Sequence, residues 1–392
     1  MGEIPGADAD RHRRRLDGLR GRVEEMAGDL ATLVEAESPS ADLAALAACA
    51  DAVAELGGRL LGARPERVER EGRPHLRWSF GNAPRVLLLA HLDTVWPLGT
   101  IDRWPVGRDG DRLTGPGAFD TKAGIVQALY ALAALDRPDG VELLVNSDEE
   151  VGSPTSSELI EAASRAARAV LVLEPSQGGS GALKTARKGF AVFRLRVHGR
   201  AAHAGNQPEL GVNALVELAR QVAAVERLAR PGDGTTVTPT VASAGTTTNT
   251  VPAEAELHLD VRFLDPVEHQ RVARGLRALR PELPGARLEL VTGPSSPPLP
   301  PAASSRLYQV ARWIGGELGL GTLDGVAVGG GSDGNRAAAV GAPVLDGLGA
   351  VGDHIHAEGE YVVVPAMAER AALLAALVEE CPARAWPPGH RR

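Results

Sequence analysis

An α/β fold interrupted by an α+β insert is the architecture this sequence predicts, on three observations. Short, largely apolar runs at residues 86–90, 141–145 and 169–173 alternate with helical spacing, the texture of buried parallel strands. From about Thr185 the texture changes to longer strands in which apolar and polar residues alternate. After a proline-rich stretch the α/β texture returns, so the first domain must be discontinuous. The resulting boundaries are 1–184 and 297–392 for the two parts of one domain and 185–296 for the insert.

In chain order, helical spacing over residues 13–35 and 42–56 precedes the first strands, and His12-Arg-Arg-Arg15 reads as one face of the first helix. The run at 86–90 ends in His91-Leu-Asp93-Thr94. Two residues apart on a strand, His91 and Asp93 share a face; the imidazole can bind a metal through one nitrogen while the carboxylate fixes the ring. GPGAFDTKAG at 115–124 leads into helical spacing over 125–135 and places Asp120 where a loop becomes a helix, a position that a simple N-cap also favours.

The run at 141–145 leads into NSDEEVGS, where the neighbouring carboxylates of Glu149 and Glu150 point to different sides. One can hold a metal while the other handles a proton. The third run ends at Glu174, and GDHIHAEGEY at 352–361 adds His354 and His356. In an open α/β sheet these strand ends form one edge, where ligands bind. Two histidines and several carboxylates, without thiolate, suit a catalytic pair of divalent ions better than a closed structural site. The two cysteines, Cys49 and Cys381, are not in metal spacing, and nothing calls for a disulfide between them.

The insert reads as alternating strand at 190–197, helix at 212–228, strands near 235–242 and 255–263, a further helix and a last strand, a compact α+β unit. TGPSSPPLPP at 292–301 reads as a stiff linker closing it.

AHLDTV, GPGAFDTKAG, NSDEEVGS, LVLEPS, AAHAGNQPELGVNALVE, LDVRF, GGGSDG and the His356 segment follow one another from about residue 85 to 365. By these segments the chain resembles the glutamate carboxypeptidases of the M20 metallopeptidase family. That resemblance implies a zinc-peptidase-like catalytic domain with a ferredoxin-like dimerisation (lid) insert, residues 210–220 forming an interface helix of a homodimer. It further implies two zinc ions per subunit, one on His91 and Glu174, the other on Glu150 and His356, with Asp120 bridging; cobalt or manganese can use the same donors. Glu149 becomes the general base, Asp93 the support of His91, and His203 an oxyanion donor reaching the site of the partner subunit. Asn249 and Arg262 match positions that hold the substrate carboxylate and the reacting group, and the glycine turn at Gly331 brings backbone amides near substrate. His356 is preferred to His354 because Glu360-Tyr361 fits the family spacing. One departure is Ala123, where many relatives have a second glycine before Gly124.

The activity implied is hydrolysis of the amide bond to a C-terminal amino acid, glutamate first, in a peptide or small molecule with a free carboxylate. An N-acyl-amino-acid deacylase of the same family is the alternative, and a silent dimeric binding protein a distant one. Composition agrees with an enzyme: 392 residues, 44% hydrophobic and 3% aromatic, suffice for two aliphatic cores. A formal charge of -8 and a pI near 5.8 argue against nucleic acid or a membrane surface as partner. No apolar run approaches the roughly 18 residues of a membrane span. No signal peptide is apparent, Gly6 breaks a myristoylation motif, and the tail from Trp386 reads as loose; the cytoplasm is the expected location.

Overall fold

The computed structural model describes residues 6–81 and 85–384, so the first residues and the tail from Trp386 lie outside it. The chain divides into two compact units. One contains the chain to Ala186, Leu299–Val328 and the chain from Ser332; the other contains Arg187–Pro298 with Gly329–Gly331.

The larger unit is built on a six-stranded sheet in the order Glu66–Arg70, Arg73–Phe80, Val141–Asn146, Val86–His91, Ala169–Val172, Val344–Leu345. Its last four strands run parallel and the first two form an antiparallel edge. Every residue of Val86–His91 and Val141–Asn146 is buried, which explains why their sequences do not alternate. Leu88 and Ala90 face the core shared with helices Ala123–Ala133 and Val364–Arg384, while Leu87 and Leu89 face the core beneath Ser157–Ala166. Register pairs His91 with Asn146, so the His91 strand and the turn bearing Glu149 end side by side.

The helical spacing over 13–35 resolves into two helices, Gly6–Arg20 and Val23–Glu35. They break at Gly21, a poor helix former, while the apolar stripe continues through Leu16, Leu19, Met26 and Leu30. A period in the sequence cannot show such a break. Within the first helix His12 is buried and Arg15 is bidentate to Glu379, so this basic run is only partly a solvent face.

The smaller unit follows strand Gly189–His198, helix Ala214–Glu226, strands Thr236–Ala244 and Glu254–Phe263, helix Pro266–Ala278 and strand Arg287–Ser296. The strands form one antiparallel sheet in the order second, third, first, fourth, the ferredoxin-like arrangement. Alternation is strict: Ala191, Phe193, Leu195 and Val197 point into the core under both helices.

Two boundaries differ from expectation. Residues 292–296 are not linker but the end of the fourth strand, and Pro301 already opens the helix Pro301–Leu318. Gly293-Pro294 fits there because it lies at a bulge on an edge strand, where a missing N–H breaks no ladder bond. Residues 208–210 form a separate 3-10 turn, and the helix expected from residue 210 starts at Ala214 behind the Asn213 cap. Cys49 and Cys381 are free and buried. No described helix is long and apolar enough to cross a membrane.

Ala123 and Gly124 both lie at the buried start of their helix, but only Gly124 needs to be glycine: a Cβ there would sit 2.4 Å from the carbonyl oxygen of Leu173. We expect Gly124→Ala to destabilise the protein by about 1–3 kcal/mol through overpacking. Denaturant unfolding tests this, and a Gly124→Ala variant as stable as the parent would refute the tight helix–strand contact.

Candidate metal centre

At the carboxyl ends of the parallel strands the larger unit brings together His91, Asp93, Asp120, Glu149, Glu150, Glu174 and His356. His91 Nε2 lies 3.1 Å from Asp120 Oδ1 and 3.3 Å from Glu174 Oε1. His356 Nε2 lies 3.1 Å from Asp120 Oδ2 and 3.1 Å from Glu150 Oε1. Asp120 therefore offers one oxygen to each histidine. Two ligands of one tetrahedral zinc, each about 2.1 Å from the ion, stand about 3.4 Å apart, so these spacings fit shared ions. The donor atoms of His91, Glu149 and Glu174 fall within 4.8 Å of one another, as do those of His91, Asp120 and Glu150. Distance alone thus admits Glu149 as a ligand as well as a base.

The supports of these side chains are largely backbone amides bound by buried acids. Asp93 Oδ1 accepts from the Glu149 N–H at 3.1 Å and Oδ2 from the Glu150 N–H at 3.2 Å, with Ser40 Oγ donating to Oδ2 at 2.7 Å. His91 Nδ1 finds its nearest acceptor in the Asp93 carbonyl, 3.0 Å away, with Asp93 Oδ1 at 3.4 Å. Asp93 accordingly holds the acidic pair as much as the imidazole. Asp148 fastens the other side of that turn by accepting from the amides of Thr155 and Ser156. Asp120 lies in a tight turn rather than acting as a helix cap, and its peptide bond to Thr121 is cis.

His356 adopts a left-handed backbone, φ 57°, that a β-carbon disfavours. His354 is exposed and meets the ring of Tyr361 edge-on, whereas His356 approaches the carboxylates of Asp120 and Glu150.

The charges of the cluster are strongly coupled. Burial alone would lower His91, but Asp120, Asp93 and Glu174 outweigh it and raise the ring well above its ordinary range. Asp120 and Glu150 raise His356 to about 10. Burial would raise Asp120, yet His356 and His91 pull it below the usual carboxylate range. Glu149 is pushed well up by burial and then by the nearby Glu174 charge, which favours a carboxyl able to carry a proton.

The remaining predicted residues belong to the insert unit. His203 ends the short strand Ala202–His203, paired with Thr250–Val251. Its Nδ1 accepts from the N–H groups of Gly205 and Asn206, both at 3.1 Å, so the neutral ring carries its proton on the exposed Nε2. Asn249 lies in the neighbouring exposed turn, its carbonyl accepting from the Ala204 N–H. Arg262 is bidentate to Asp260 and lies over the Phe190 ring. Gly331 presents its carbonyl to Arg187 at 3.0 Å.

Sequence reading missed Ser40, Asp148 and the function of Glu360. Glu360 is buried, raised to about 7 by burial, and accepts from the amides of Phe119 and Asp120. Its only signal was its spacing from His356.

Residues 87–380 match the model of peptidase family M20/M25/M40. The chain is 33% identical over 306 residues to carboxypeptidase G2 of Pseudomonas sp. (strain RS-16), covering 75% of this chain and 73% of that one. It is 29% identical over 325 residues to succinyl-diaminopimelate desuccinylase of Thioalkalivibrio sulfidiphilus, covering 77% and 85%. Among solved structures it resembles an M20 family metallo-carboxypeptidase of Sulfolobus solfataricus, with TM-score 0.73 and 17% identity over 91% of this chain and 99% of that one.

Because His356 is raised to about 10, with His91 shifted in the same direction, the metal-free protein carries a proton on His356 at pH 7.5 that a bound divalent ion must displace. Addition of zinc in weakly buffered solution at pH 7.5 is expected to release at least one proton per subunit, read in a pH-stat. Metal uptake without proton release would contradict the assignment of His91 and His356.

Proposed function

The chain belongs to peptidase family M20/M25/M40 and is a metallohydrolase, and from that premise we propose that it cleaves the amide bond to a C-terminal amino acid, glutamate first, in N-acyl or peptidyl substrates. The observation that carries the reading is Asp120, with one oxygen towards each histidine and Glu149 beside them.

His91 and Glu174 would hold one zinc and Glu150 and His356 the other, with Asp120 between them. When bound, such ions acidify a water molecule and polarise a carbonyl. Glu149 takes the proton of the attacking water and passes it to the leaving amine; its enclosure favours the protonated form between those steps. His203, contributed by the partner subunit of a homodimer, donates its Nε2–H to the oxyanion, since its Nδ1 is already occupied as an acceptor. Arg262, oriented by Asp260, and Asn249 serve the substrate carboxylate and reacting group, and the glycine turn at Gly331 offers backbone amides to substrate. Exposed Leu210, Leu215 and Val216 around the start of the insert's first helix, and Val241 on its edge strand, support dimerisation through this unit. Two free buried cysteines accord with a reducing, cytoplasmic setting.

Similarity to a desuccinylase along most of the chain supports a second reading, deacylation in which the freed amine is the product of value.

Zinc-loaded protein assayed on N-acyl and peptidyl amino acids is expected to release glutamate faster than other amino acids, and chelation to stop it. Preference for an acetylated or succinylated diamino acid would favour the deacylase. Glu149→Ala should lose roughly 10²–10⁴-fold in kcat while its metal content stays at the parent level. Full turnover in that variant would remove Glu149 from the mechanism.

A further inference from the structure

One buried carboxylate outside the proposed ligand set accepts from four N–H donors of its scaffold. Glu360 Oε1 accepts from the N–H of Phe119 at 2.7 Å and of Asp120 at 3.0 Å. Its Oε2 accepts from the N–H of Gly117 at 3.2 Å and from the indole Nε1–H of Trp96 at 3.0 Å. Both oxygens thus serve two donors each, and the residue has no exposed surface. Four residues earlier on the same loop, His356 approaches the carboxylate of Asp120. A single loop therefore grips Asp120 at two points, its amide through Glu360 and its side chain through His356.

The indole extends the grip. Trp96 stands three residues after Asp93, the residue that holds the amides of Glu149 and Glu150. Three segments far apart in the chain, those carrying His91 and Asp93, Asp120, and His356, meet at this carboxylate. From this convergence we propose that Glu360 is a positioning residue for the metal pair: it fixes the turn of Asp120 so that its two oxygens face opposite histidines, and Trp96 couples that turn to the His91 segment. The inference rests on the metal-centre reading above. Glutamate is suited to the task because four N–H donors require four lone pairs. Glutamine has the same shape but would turn an NH₂ group against two of those donors.

The test compares the full-length parent with Glu360→Gln and Trp96→Phe, using zinc and cobalt as probes. Zinc affinity is measured by competition with a chromogenic chelator, the visible spectrum is recorded on cobalt-loaded protein, and thermal melting is followed on metal-free protein. Glu360→Gln is expected to lose at least tenfold in zinc affinity and to change the cobalt spectrum. Trp96→Phe, which keeps the carboxylate, should shift both in the same direction by less, and decides the matter if Glu360→Gln does not fold. A purely structural role predicts lowered melting with parental zinc affinity and cobalt spectrum in both variants, and that outcome overturns the proposal. A parent protein that binds neither ion overturns the metal-centre reading itself, and this inference with it; a parent that binds both ions while the variants bind them equally well overturns this inference alone.

Discussion

Two histidines share Asp120, and a carboxylate can face two imidazoles only when its backbone has no freedom left. The spacings of 3.1 Å on either oxygen set that requirement. Much of the architecture around the site serves this limit. The parallel strands set His91 beside Asn146, Asp93 secures the turn of Glu149 and Glu150, and Gly124 lets the helix after Asp120 press against the strand that delivers Glu174. Buried acids do this work by accepting from backbone amides, so the negative charge that would hold metal is enclosed by a second layer of negative charge. The carboxylates that approach the two imidazoles raise both of them, Asp120 above all.

How much of this was legible depends on the range over which each signal acts. Parallel strands could be read because burial on both faces removes alternation, and the insert because burial on one face restores it. The break at Gly21 and the strand through Pro294 could not, since each depends on partners supplied from elsewhere: a shared core in one case, an edge position in the other. Ligand types made His91, Asp120, Glu149, Glu150, Glu174, His354 and His356 conspicuous, because metal-binding side chains stand out chemically, and the family resemblance chose the proposed ligands among them. The groups that orient them were silent. Ser40 and Asp148 are ordinary polar residues in the sequence; Ser40 gains its part through a distant contact with Asp93, Asp148 by folding the turn onto the amides of Thr155 and Ser156. Arg262 shows the converse, a conspicuous residue already engaged by its own strand neighbour Asp260.

Support for the ligand segments reaches into the helical core. Arg370, buried in the last helix, pairs with no carboxylate among the described residues; it donates to the carbonyls of Gly181, Gly347 and Gly349. Gly349 in turn donates its N–H to the carbonyl of Glu174. A guanidinium spent on three carbonyls ties the closing helix to the strand end that carries a proposed ligand, and burial lowers its pKa to about 10.

The split of the larger unit around the insert also orders events in time. A ribosome releases the strands bearing His91, Glu149 and Glu174 long before residue 356, and the insert, whose core lies wholly within Arg187–Pro298, can close first. The helix Val364–Arg384, whose Ala371–Leu377 stretch is buried against the early helices, follows them. Before strand Tyr361–Val363 pairs with Arg112–Thr114, Asp120 lacks both of its late partners. The topology therefore withholds the proposed metal site from any nascent chain that has not passed residue 360, a delay set by chain order alone.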